Sequence, residues 1–269
     1  MNRAVSSFCR IDLPLDQALP LLHGEAPCTI ELFCEAPHLD TNGDWRSQIK
    51  WLRQYAQTHG LTYALHAPCF DLNPASANAG VRAEVVRQYQ VALSIAEALD
   101  ARQMVVHSGP RSDPRLSVAQ AREYVRAMLE TLVPLAETNR VRLALENTGY
   151  GEASIITAPD DLLTLIADLP QQTVGLTLDL GHAVLQGIEL GDAITAWMPR
   201  LVNVHLHDNR GISDEHLPPG AGIVPLGKAL AVLASLKYTG SVVLESFLGG
   251  PRPISISDAW AGVIPVVDE

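Results

Sequence analysis

The chain has 269 residues, 47% of them hydrophobic and 18% charged, and these proportions exclude a disordered or low-complexity protein. Its 19 basic and 30 acidic residues give a formal charge of -11, which argues against nucleic acid as a partner because nucleic-acid binding needs a basic surface. No apolar stretch is long enough to span a membrane, and the start MNRAVSSFCRIDLP lacks the apolar core of a secretion signal. The four cysteines do not have the spacing of a disulfide-stabilised protein. We therefore expect a cytoplasmic protein with reduced cysteines and no membrane contact.

Eight short apolar runs alternate with longer amphipathic stretches. The runs cover residues 4–9, 28–35, 61–66, 103–107, 141–146, 173–179, 201–207 and 241–245. Helical spacing of apolar residues is clearest at 78–99, 116–139 and 225–236. Because parallel strands need a crossover that a helix supplies, this alternation predicts an α/β protein with a parallel sheet. Eight units predict a single (β/α)8 TIM barrel forming one domain, 1–269, with a doubly wound open sheet as the alternative.

Metal-ligand side chains stand at the carboxyl ends of six consecutive runs, from the third to the eighth. They are His66, His107, Glu146, Asp179, His205 with His207, and Glu245. Three more follow in the loops, namely His182, Asp214 and His216. Barrel geometry brings the carboxyl ends of the strands to one mouth, and burying so many ionisable groups together is costly unless cations neutralise them. The pattern therefore predicts a polynuclear metal site, and imidazole with carboxylate suits zinc, manganese or iron.

The motifs LHAPCFDLNP, VVHSGP, LALENTGY, LTLDLGHA, NVHLHDN, DEHLPPGAG and VVLES, in this order, resemble the xylose isomerase-like TIM-barrel superfamily. That superfamily includes endonuclease IV, of AP endonuclease family 2, and many sugar and sugar-phosphate isomerases and epimerases. Similarity to endonuclease IV implies three zinc ions. The first would be held by His66, His107 and Glu146, the second by Glu146, Asp179, His205 and Glu245, and the third by His182, Asp214 and His216. Similarity to the isomerases implies one divalent ion, typically manganese, held by Glu146, Asp179, His205 and Glu245.

Two reactions are compatible with this resemblance. The preferred hypothesis is metal-assisted hydrolysis of a phosphoester in a small sugar-phosphate or nucleotide-like molecule, because a mononuclear isomerase does not need the additional ligands. Glu146 and Asp179 would then orient the attacking hydroxide, and Arg210 and Arg252 would meet the phosphate charge. The alternative is isomerisation or epimerisation of a keto sugar or its phosphate, in which Glu146 and Glu245 move a proton between carbons.

Two further classes are less well supported. Cleavage of DNA at abasic sites would need a basic track and more aromatic residues than the 5% present. A non-catalytic binding protein on this fold would typically have lost ligands, and none is missing. His207 is expected to contact substrate or support a ligand, and the roles of His38 and Glu35 stay open. The pattern carries no signal for an oligomeric state.

Overall fold

A computed structural model describes residues 1–23 and 29–263 and contains a closed barrel of eight parallel strands in sequence order. The predicted (β/α)8 barrel is confirmed. The strands are β1 (Asn2–Ser6), β2 (Thr29–Phe33), β3 (Thr62–His66), β4 (Gln103–His107), β5 (Arg142–Glu146), β6 (Val174–Asp179), β7 (Leu201–Leu206) and β8 (Ser241–Leu244). The helices are α1 (Leu15–His23), α2 (Trp45–His59), α3 (Ala79–Leu99), α4 (Val118–Asn139), α5 (Asp160–Leu165), α6 (Leu180–Leu185), α7 (Leu190–Trp197), α8 (Leu226–Ser235) and α9 (Ile256–Ala261).

The first predicted run, 4–9, is only partly a strand. Strand β1 ends at Ser6, and Ser7–Arg10 form a 3-10 turn. The reason is local, because the hydroxyl of Ser6 accepts the N–H of Phe8 at 3.2 Å and so competes with continued strand pairing. In the second run, Cys28 lies outside the described residues.

The long helices cover the barrel through apolar residues three and four positions apart. In α3, Val85, Tyr89, Ala92 and Ala96 are fully buried against the strands. Asn78 caps the start of this helix by accepting the N–H of Gly80 at 2.8 Å. This packing covers the outside of the barrel with an apolar layer. None of the helices in the described ranges is long and apolar enough to cross a membrane.

Candidate metal centre and cavity

The strand ends deliver six of the predicted side chains to one mouth. His66, His107, Glu146 and Asp179 are the last residues of β3, β4, β5 and β6. His205 is the last residue but one of β7, and Glu245 directly follows β8. The register places His107 beside Glu146 and Asp179 beside His205 on adjacent strands. Parallel register in a barrel therefore converts strand-end positions into spatial neighbours.

The motif DLGH places His182 through a helix start. The Oδ1 of Asp179 caps α6 by accepting the N–H of His182 at 2.7 Å. Gly181 is needed between them, since a Cβ there would lie 2.1 Å from Cε1 of His207. The side-chain amide of Asn147 binds both backbone groups of Asp179. Its oxygen accepts the N–H of Asp179 at 2.8 Å, and its nitrogen donates to the carbonyl of Asp179 at 3.0 Å. The turn thus directs both the carboxylate and the imidazole into the mouth.

A buried carboxylate shapes the loop that carries Asp214 and His216. Asp208 accepts backbone N–H groups at 2.8–3.0 Å from Asn209, Gly220, Gly222 and Val224. The loop is also tied across by mutual backbone hydrogen bonds of 2.8 Å between Asp208 and Leu217. His216 then donates from Nδ1 to the carbonyl of Glu245 at 2.7 Å, because a carbonyl can only accept. Its Nε2 faces Asp214 Oδ2 at 3.3 Å.

The side chains at the mouth form three groups, in each of which one possible ligand atom per residue lies within 4.8 Å of the others. The groups are His66, Cys69 and His107; Glu146, Asp179, His205 and Glu245; and His182, His207, Asp214 and His216. Glu146 links all three. Its Oε2 lies 3.5 Å from His66 Nε2 and 3.4 Å from His107 Nε2, while its Oε1 lies 3.7 Å from His205 Nδ1 and 3.2 Å from His182 Nδ1.

Several of these buried atoms make no hydrogen bond of normal geometry, although the imidazole nitrogens among them lie within ion-pair distance of a carboxylate. They include Glu146 Oε2, Asp179 Oδ2, His182 Nδ1, His205 Nδ1, His207 Nε2 and Glu245 Oε1. Leaving buried polar atoms unpaired costs roughly 1–3 kcal/mol each, and more for charged groups. Convergence of unpaired carboxylate oxygens and imidazole nitrogens is the arrangement that a divalent cation satisfies. The donor chemistry therefore fits a metal.

Carboxylates and histidines shift one another's pKa. Burial favours the neutral form of Glu146, but the charges of His107 and His205 outweigh it and hold the pKa of Glu146 well below its usual range. Burial also disfavours protonated His205, yet the charges of Glu245 and Glu31 raise the pKa of His205 well above its usual value. His107 behaves differently, because burial outweighs Glu146 and lowers the pKa of His107.

The third group shows the same balance. Burial of His216 is outweighed by its hydrogen bond to Asp214 and by the charge of that carboxylate, and the pKa of His216 rises to about 9. The pKa of Asp214 is lowered in turn, since His182 and His216 outweigh its burial. The carboxylates of the site therefore need positive charge nearby, which either protonated histidines or a metal ion can supply. Because a metal ion would replace the protons on the histidines, metal binding should release protons.

A cavity of about 720 Å3 opens above the groups. Its upper wall is aromatic and packs directly on ligand rings, with Phe33 stacked on His66 at 4.7 Å between centroids and Phe8 tilted on His216 at 4.8 Å. Phe70, which is 53% exposed, extends this wall from Phe33. Among the described residues, no lysine or arginine lines the cavity. Apart from the metal-ligand side chains and the carboxylate of Asp71, the cavity wall is uncharged.

The profile of the xylose isomerase-like TIM barrel family matches residues 28–261 of this chain. The chain belongs to that family. Protein MJ1311 of Methanocaldococcus jannaschii is 30% identical over 221 residues, which make up 80% of this chain and 73% of that protein. The D-psicose 3-epimerase of Agrobacterium fabrum is 24% identical over 219 residues, or 79% of this chain and 73% of the enzyme. A solved D-tagatose 3-epimerase-like protein superposes with a TM-score of 0.82 at 26% identity, covering 97% of this chain and 94% of that chain.

Within this family barrel, the three residues predicted to contact substrate lie away from the described cavity wall. The side chain of Arg210 is 61% exposed and forms an ion pair with Glu215. Arg252 is exposed in the loop after β8. His207 is fully buried, with Nε2 lying 3.0 Å from Asp179 Oδ1 and its ring stacked on His216 at 4.0 Å. The structure places His207 within the third group rather than at the cavity surface.

Two residues left open by the sequence have structural partners. His38 is buried, with Nδ1 2.9 Å from the hydroxyl of Ser7 and Nε2 3.1 Å from the carbonyl of Leu13. Oε1 of Glu35 accepts the N–H groups of Cys69 and Phe70, both at 2.7 Å. Glu35 thus holds the loop after β3 against the cavity.

Sequence reasoning missed two polar residues inside the barrel. Glu31 in β2 is fully buried, and its Oε1 lies 3.0 Å from His205 Nε2. Asn203 in β7 donates to Glu31 Oε2 at 3.1 Å and lies 3.1 Å from the same ring nitrogen of His205. The sequence feature that could have identified them is a polar residue in the middle of an otherwise apolar strand, at a position facing the barrel interior. These strands are TIELF and LVNVHL. Both residues support the ring of His205 from behind.

Proposed function

We propose that this protein is a divalent-metal-dependent isomerase or epimerase of a small, uncharged keto sugar. The observation that carries the proposal is the buried group of Glu146, Asp179, His205 and Glu245 at the floor of a cavity. Two of the relatives described above are named for sugar 3-epimerisation. These relatives support the isomerase alternative better than phosphoester hydrolysis, the preferred hypothesis from sequence.

Glu146, Asp179, His205 and Glu245 would hold the cation, and their mixed oxygen and nitrogen donors suit manganese or zinc. When bound, the ion would supply a Lewis acid that polarises a carbonyl and the neighbouring hydroxyl of the sugar. Glu31 and Asn203 contact the far nitrogen of His205, so Nδ1 stays directed at the carboxylates. Nδ1 lies 2.9 Å from Glu245 Oε2.

Glu146 and Glu245 are the proposed acid–base pair. They stand at the ends of β5 and β8, separated around the barrel by β6 and β7, so a sugar between them presents one face to each. One carboxylate would remove the proton from the carbon beside the carbonyl, and the other, entering protonated, would return a proton to the opposite face. Burial and the charge of Glu146 both oppose ionisation of Glu245, while His205 outweighs them and lowers the pKa of Glu245. Both carboxylates are therefore ionised in the metal-free site, so the acid of the pair would take up its proton from solvent before it acts.

The cavity wall supports an uncharged substrate. A phosphate group is usually met by arginine, lysine or a row of backbone N–H groups, and the described cavity wall contains no lysine or arginine. Aromatic rings such as Phe8, Phe33 and Phe70 instead provide apolar surface for the C–H face of a sugar ring.

Solvent exchange tests this proposal. Metal-loaded protein in deuterium oxide, incubated with a panel of ketohexoses and ketopentoses, should place deuterium on a carbon next to the carbonyl, as read by NMR. Glu245→Gln should reduce that exchange about 10²–10⁴-fold while substrate still binds. Glu130→Gln, in an exposed ion pair on α4, is the matched control and should exchange normally. Exchange retained in Glu245→Gln, or absent with every ketose, would refute the proposal.

Hydrolysis at a three-metal site is a second candidate, and one observation favours it. His66, His107, His182, Asp214 and His216 all lie at the mouth as that reaction would require. Turnover of small phosphodiesters or monoesters, lost in His216→Ala together with one bound ion, would make this candidate the better account. An unchanged metal content in that variant would remove the third position.

A further inference from the structure

A thiol in the first group has no role in the proposed reaction. Cys69 lies three residues beyond β3 and lines the cavity. Its Sγ and one ring nitrogen each of His66 and His107 lie within 4.8 Å of one another. The loop that carries it is held in place, because the N–H groups of Cys69 and Phe70 both donate to Glu35 at 2.7 Å.

The Nε2 atoms of the two histidines beside this thiol converge on one point. His66 Nδ1 lies 2.8 Å from the carbonyl of Ala67 and must donate to it, so the proton is on Nδ1 and the lone pair on Nε2. That Nε2 lies 3.2 Å from His107 Nε2. Glu146 Oε2, which is buried and makes no hydrogen bond, lies 3.5 and 3.4 Å from these nitrogens. Ligand atoms around tetrahedral zinc, with bonds of about 2.0–2.1 Å, are separated by about 3.3 Å.

We propose that Cys69 is the fourth ligand of a metal position formed with His66, His107 and Glu146. This position uses Oε2 of Glu146, whereas Oε1 faces His205 at 3.7 Å in the group assigned to catalysis. This proposal depends on the proposed function only because the two metal positions share the carboxylate of Glu146. A thiolate with two imidazoles selects zinc, or cobalt and cadmium as its substitutes, over manganese and magnesium. The mouth therefore holds two positions with different metal preferences.

Cobalt reports the thiolate directly. Metal-free full-length protein titrated with Co²⁺ should develop a sulfur-to-cobalt charge-transfer absorption in the near ultraviolet, which oxygen and nitrogen ligands do not produce. The absorption should saturate at about one ion per chain. Cys69→Ser should abolish this band and keep the weaker visible cobalt absorption of the other position. Cys34→Ser, which alters a fully buried thiol just beyond β2, is the matched control and should keep the band.

The outcomes separate the two proposals. Cobalt binding without the charge-transfer band, or a band that persists in Cys69→Ser, would overturn the role of Cys69 and leave the catalytic position intact. A band that remains in His205→Ala would show that the thiolate position forms independently of the catalytic one. If no cobalt binds at all, both proposals fail. Circular dichroism of each variant checks folding, and Cys69→Asp, which should bind cobalt without the band, covers a failure of the serine variant.

Discussion

The charge balance around His216 makes the stability of the metal-free protein depend on pH. The pKa of His216 is about 9 against an ordinary value of 6.5, because Asp214 outweighs the effect of burial. A histidine with a raised pKa in the folded state binds its proton more tightly when folded, so its stabilisation is complete below about pH 6.5 and is lost as pH rises through about 9. At about 1.4 kcal/mol per pKa unit, the difference is about 3 kcal/mol.

Urea denaturation of chelator-treated protein at pH 6 and pH 9 measures this loss. Between pH 6 and pH 9, we expect the free energy of unfolding to fall by about 3 kcal/mol more in the wild type than in His216→Gln. The variant lacks the imidazole at position 216 and so loses no proton there. Subtracting the variant removes the effects of thiols and tyrosines that titrate in the unfolded chain. His59→Gln, which alters an exposed histidine at the end of α2, should behave as wild type. Equal falls in wild type and His216→Gln would refute the charge balance described for this group.

Three other substitutions have distinct expected results. Gly181→Ala would put a Cβ 2.1 Å from the buried ring of His207, so we expect a loss of about 1–3 kcal/mol in urea denaturation, and unchanged stability would show that the ring can move. Asp208→Ala leaves four backbone N–H groups without their acceptor, so the free energy of unfolding should fall by at least about 2 kcal/mol. The variant should also bind metal more weakly in calorimetry, because the loop that carries Asp214 is no longer held in place. Unchanged metal affinity would contradict this role of Asp208. Phe70→Ala removes part of the cavity wall and should raise KM about 10-fold at constant kcat, whereas an unchanged KM would place the sugar elsewhere.

The strand-end ligands were predictable because a barrel leaves no choice about where they meet. Once 61–66 and 103–107 are recognised as neighbouring parallel strands, His66 and His107 must lie side by side at the mouth. Asp214 and His216 depend instead on the fold of a loop. Its shape comes from backbone hydrogen bonds to Asp208, and periodicity carries no information about such bonds. The residue pattern therefore named these two only as candidate ligands in a loop, and the family resemblance alone assigned them to a third metal.

The cavity wall and the roles of the arginines could not be read in the same way. Phe8, Phe33 and Phe70 come from three separate loops and strand ends, and they form a wall only when the barrel closes. Arg210 looked available for a phosphate, but its partner Glu215 is five residues away across a turn that no pattern of apolar residues encodes. Side-chain pairing of this kind follows from the loop conformation rather than from strand order.

A crystal structure of the protein grown with manganese, with anomalous differences recorded above the manganese edge, tests the central claim most directly. The account predicts an anomalous peak within bonding distance of Glu146, Asp179, His205 and Glu245, in protein that also exchanges the sugar proton with solvent. Exchange activity in protein with no ion among those four side chains would contradict it.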